Sequence, residues 1–82
     1  MAAIRVITIK NIINLGVYDE NEQIVILSGD DEDCTIQYKG KMCNIPDDFM
    51  EKSVHQISAM GESRREKYRL NKYGWTEIWL NE

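Results

Sequence analysis

The stretch Pro46-Asp47-Asp48-Phe49-Met50-Glu51-Lys52-Ser53-Val54-His55-Gln56-Ile57-Ser58-Ala59-Met60 decides how the rest of the chain is read. Proline suits the first helical position, where its missing N–H would be unpaired in any case. Asp47 and Asp48 follow where negative charge meets the positive end of a helix. Met50, Val54, Ile57 and then Ala59 or Met60 recur at intervals of three and four, with Phe49 beside them, and Gly61 is a natural stop. This spacing predicts one amphipathic helix over residues 46–60, whose single apolar stripe needs a sheet face to cover.

Strand signals stand on both sides of it. Ile4 to Val17 is rich in β-branched residues (Ile4, Val6, Ile7, Thr8, Ile9, Ile12, Ile13 and Val17) and reads as a strand bent at Lys10-Asn11. Asp19-Glu20-Asn21-Glu22 reads as a turn, Gln23–Ser28 as the next strand, and Gly29-Asp30-Asp31-Glu32-Asp33 as the loop after it. A third strand from Cys34 to Lys39 turns at Lys39-Gly40 and returns as Lys41–Ile45. In that register Ile36 opposes Cys43 and Cys34 opposes Ile45. The two cysteines are then diagonal neighbours, too far apart for ready bridging.

Beyond Gly61 the charged run Glu62–Arg69 leads to the turn-like Asn71-Lys72-Tyr73-Gly74. The expectation is a hairpin in which Lys67–Leu70 pairs with Trp75–Leu80. On that last strand Thr76, Ile78 and Leu80 share one face, and Trp75, Glu77 and Trp79 the other. The order is therefore β-β-β-β-α-β-β. It describes an α+β domain over residues 1–82, with a mainly antiparallel, twisted sheet of four to six strands and one helix on a face.

Composition narrows the function classes. With 43% apolar and 29% charged residues the chain is expected to fold, and no apolar run reaches the length of a membrane span. The short apolar start, broken at Arg5, lacks the core of a secretory signal, so a cytoplasmic setting with reduced thiols is expected. Two cysteines and one histidine without a CxxC do not make a zinc set. The run from Asp30 fails as a calcium loop, because its twelfth residue is Lys41. No cofactor or metal is expected. His55 is the only histidine, no glycine-rich phosphate loop exists, and the paired carboxylates lie in turns where burial cannot raise their pKa. A non-enzymatic role follows.

The charge layout is the informative feature. Ten basic residues against fourteen acidic ones give −4 overall, an unfavourable balance for a general nucleic-acid binder. From Asn11 through Tyr38 there are seven acids (Asp19, Glu20, Glu22, Asp30, Asp31, Glu32 and Asp33) and no Lys or Arg. Two acidic turns on either side of one strand would lie about 20 Å apart. Such spaced clusters imitate a phosphate backbone or steer a basic protein. The leading expectation is thus a small acidic protein-binding module, an inhibitor or accessory factor for a basic, nucleic-acid-binding partner. Trp75 and Trp79 would serve as its apolar anchor.

Two other readings stand beside it. The run Arg64, Arg65, Lys67, Arg69 and Lys72, with Tyr68 and Tyr73 interleaved, has the basic-aromatic character of single-strand nucleic-acid contacts. Alternatively, the chain is a small structural subunit or homodimer that associates through its C-terminal strand, which would hide the open edge of a small sheet.

Overall fold

In the computed structural model, residues 7–16, 18–30, 33–70 and 74–81 are described. The first element is a helix, α1 (Ile9–Leu15). It is followed by strands β1 (Gln23–Gly29) and β2 (Cys34–Lys41), and then by two single 3-10 turns at Met42–Asn44 and Asp47–Phe49. Strand β3 (Val54–Ala59), helix α2 (Glu62–Lys67) and strand β4 (Trp75–Leu80) complete the chain. The strands form one mixed sheet in the order β2-β1-β4-β3. Strand β1 runs antiparallel to β2 and parallel to β4, and β3 pairs antiparallel with β4. The class is small α+β.

The centre of the sheet follows from β1. Ile24, Val25, Ile26 and Leu27 are all fully buried, which requires cover on both faces. One face carries Ile24, Ile26, Ile78 and Leu80 and packs under Ile9 and Ile12 of α1, with Met42 and Ile45 closing the end. The other carries Val25, Leu27 and Trp79 and packs under Leu70, Met60 and Tyr68. Each fully buried aliphatic side chain contributes about 1.5–3 kcal/mol, so this strand dominates the stability.

The helix expected over 46–60 does not form. Residues 47–49 make one 3-10 turn behind Pro46, and 54–59 are the edge strand β3. The cause is a bulge. The pairing steps from Val54–Leu80 to Gln56–Trp79, which inserts one residue and puts Val54 and Ile57 on the same face of the sheet. Both pack on the first core. An interval of three, read as helical, is here a strand with one residue too many.

The expected first strand is a helix over its described part; residues 1–6 and 17 lie outside the described residues. Thr8 caps it. The Thr8 Oγ1 accepts the Asn11 N–H at 3.3 Å, and the Thr8 N–H is donated to Asn11 Oδ1 at 3.0 Å. This reciprocal box satisfies two otherwise orphaned donors. Gly16, with φ +68, ends the helix in the left-handed conformation and returns its N–H to Ile13 O. Ile9, Ile12 and Ile13 then fall on the inner side, so burial outweighs the strand preference of β-branched residues.

Two expected hairpins are also replaced. Strand β2 continues through Lys39-Gly40 to Lys41 and does not turn there. Residues 42 and 43 are instead drawn to the acidic turn, since the Met42 N–H bonds Glu22 O and the Cys43 N–H bonds Glu20 O, both at 2.9 Å. At the C-terminal end 62–67 is helical, and β4 pairs with β1 and β3. Because β4 is hydrogen-bonded on both sides, it has no free edge to pair with a second copy; the sheet edges are β2 and β3.

Candidate functional site

The first acidic turn, Asp19 to Glu22, is held in one shape by its own groups. The Glu22 N–H bonds Asp19 O at 3.0 Å and the Asn21 N–H bonds Asp19 Oδ1 at 2.7 Å. The hydroxyl of Thr76 donates to Glu22 Oε2 at 3.1 Å, so Glu22 is half-buried against β4. Asp19 and Glu20 remain exposed. The two bonds from Met42 and Cys43 fix the same turn from the other side.

That arrangement opens a cleft of about 380 Å³ lined by Ile13, Tyr18, Glu20, Met42, Cys43 and Met50. It combines largely apolar residues of α1 and of the segments around the two 3-10 turns with one acidic residue, Glu20. Nearby, Tyr38 donates its hydroxyl to Lys41 O at 2.8 Å and packs on Phe49, with ring centroids 6.3 Å apart. Burial, and then the electrostatic influence of the neighbouring Cys43, raise the Tyr38 phenol above its ordinary pKa.

The second acidic turn lies at the far end of β1. Asp30 and Asp33 exchange backbone hydrogen bonds at 3.3 and 3.1 Å and are exposed. Asp31 and Glu32 lie outside the described residues. Gly29 is required beside this turn, because at φ +102 an added Cβ would meet Asp33 O at 2.5 Å. Cys34, next in the chain after Asp33, contacts the Tyr68 hydroxyl. Tyr68 is flanked in sequence by Lys67 and Arg69, both exposed, and the Lys67 ammonium lies over the Tyr68 ring, 5.9 Å from its centroid.

The basic run itself is partly structural. Arg65 is half-buried and donates from Nη1 to Leu70 O at 3.0 Å. Arg69 has φ +59, and the bonds Arg69 N–H to Glu66 O and Leu70 N–H to Arg65 O, each 3.0 Å, close a left-handed cap on α2. Nothing is described of the Arg64 side chain, and Lys72 lies outside the described residues.

The aromatic anchor is corrected. Trp79 is only 6% exposed and belongs to the second core, where Leu70, Tyr68 and Met60 pack on its face. Its indole N–H donates to Glu77 Oε1 at 3.3 Å, and Ser58 Oγ donates to the same oxygen at 3.4 Å. Trp75 is half-buried, and its buried N–H finds no partner. Both cysteines are free, Cys34 half-buried and Cys43 exposed, and His55 is exposed on β3. Sequence reasoning missed the cleft, whose one early signal was the Thr8–Asn11 box, and it missed the buried carboxylate of Glu77.

Among the described residues no group of three or more His, Cys, Asp and Glu side chains could hold a metal ion, and no helix is long and apolar enough to cross a membrane. No family model, curated protein or solved structure matches the chain.

Proposed function

We propose that the protein is a non-enzymatic interaction module of the cytoplasm whose acidic turn, Asp19 to Glu22, engages a basic, nucleic-acid-binding partner protein as an inhibitor or accessory factor. The observation carrying this reading is that Asp19 and Glu20 are exposed on a turn anchored by five hydrogen bonds, from Thr76, Met42, Cys43 and within itself. A turn whose backbone is held in place loses little loop freedom on docking, which is a main cost of association. Asp30 and Asp33, exposed at the far end of β1, offer a second acidic contact.

Binding of an octalysine peptide to the full chain at low salt is the test. Neutralising Asp19 and Glu20 together should weaken it about tenfold, and unchanged affinity would remove the reading. Nucleic-acid binding through Lys67 and Arg69 is the second reading, favoured by their exposure. It requires shifted bands with single-stranded or duplex oligonucleotides at about 50 mM salt, with strong salt dependence.

A further inference from the structure

The cleft beside the acidic turn has a shape and chemistry that the turn alone does not explain. Its volume of about 380 Å³ is at the small end of ligand pockets, roughly 300–1,000 Å³. It suits one side chain better than a helix. It is lined by Met42 and Met50, by Ile13, Tyr18 and Cys43, and by Glu20 of the acidic turn. Thioether walls adapt to flexible chains. A lysine has a flexible apolar stem and a compact charge at its tip, so it buries the stem and leaves the ammonium at the carboxylate. An aromatic ring beside that path adds a cation–π contact.

We infer that this cleft is the receptor for one lysine side chain of a protein partner. The stem lies along Met42 and Met50, and the ammonium is bound by Glu20 with Asp19 beside it. The inference rests on the acidic-turn reading and goes further, since it names the residue recognised. Charge complementarity supports it: Asp19, Glu20 and Glu22 lie together, and Lys41 points to the opposite face of the sheet by strand alternation from Gly40. Among the described cations, Lys10 is exposed on α1 and bonds Met50 O through its backbone N–H at 3.0 Å, and the Lys52 ammonium lies over the Phe49 ring.

The test is a methyl NMR titration of the full chain, labelled at the methionine methyl carbons, with octalysine. Met42 and Met50 should shift with saturation and Met60, in the second core, should not. Glu20→Gln should weaken binding about tenfold, and Lys10→Ala should tighten it. Cys43→Phe, at an exposed position, should fill the cleft and abolish the Met42 and Met50 shifts. If amides of residues 19–22 move while both methyls stay still, the lysine cleft is overturned and the acidic turn stands. If nothing moves at low salt, both fall. If octa-arginine moves the methyls and octalysine does not, the assignment to lysine is wrong.

Discussion

The hydroxyl of Tyr68 lies 2.6 Å from the Sγ of Cys34, which joins the end of α2 to the start of β2 across the second core. The contact helps to hold the connection after β3 over Val25 and Leu27. Tyr68→Phe should cost about 0.5–1.5 kcal/mol. Hydrogen exchange should show faster opening of Glu66–Leu70 with little change in β1. Uniform protection in the variant would mean that the contact holds nothing.

Arg69 occupies a backbone conformation that favours glycine, at φ +59, in the cap that ends α2. Arg69→Gly should therefore stabilise the fold by about 0.5–1 kcal/mol in denaturant unfolding. The contrary case is Gly29, where positive φ and the close Asp33 carbonyl coincide. Gly29→Ala should cost roughly 2–3 kcal/mol.

The two tryptophans should respond differently. The Trp75 N–H is buried without a partner, so Trp75→Phe gives up no hydrogen bond and should cost under about 1 kcal/mol. Trp79→Phe removes a donor from the buried Glu77 carboxylate and should cost roughly 1–3 kcal/mol. Equal losses would show that packing volume alone matters at both positions.

Tyr38 links stability to alkaline pH. Its folded pKa is raised above 10.0, by burial first and by Cys43 second. The neutral phenol is thus favoured in the native state, and that contribution is complete below pH 10 and lost as pH rises through the folded value. Thermal unfolding of Tyr38→Phe should show a shallower fall above pH 10 than the parent. Parallel alkaline limbs would contradict this assignment.

Much of the strand layout was legible in the sequence, and the failures share causes. Gln23 to Leu27 has β-branched residues on both faces because it is central and doubly covered, and Trp75–Leu80 was read to the residue for the same reason. The face assignment also held: Ile78 and Leu80 lie in one core and Trp79 in the other. What misled was irregularity. The bulge in β3 gave Val54 and Ile57 helical spacing, and a second bulge in β2, between the pairs of Ile26 and Leu27, sends Tyr38 and Cys34 to opposite cores although they are an even number apart. A register defect is invisible to periodicity, because only the partner strand defines it. Helix α1 is hidden by its β-branched residues, and the signals that favour it are the Thr8–Asn11 box and the Gly16 stop. The acidic turns were correctly placed, but the cleft depends on Met42 and Met50 meeting across segments whose expected structure was wrong.

The central claim concerns Asp19 and Glu20, and salt provides its most direct measurement. Octalysine affinity should be measured from about 20 to 200 mM salt for the parent, for Asp19→Asn with Glu20→Gln, and for Asp30→Asn with Asp33→Asn. The account predicts a steep decline with salt for the parent. The first pair of substitutions should weaken binding about tenfold and flatten the decline, while the second pair has a smaller effect. Identical affinities and slopes for the parent and the Asp19, Glu20 variant would contradict it.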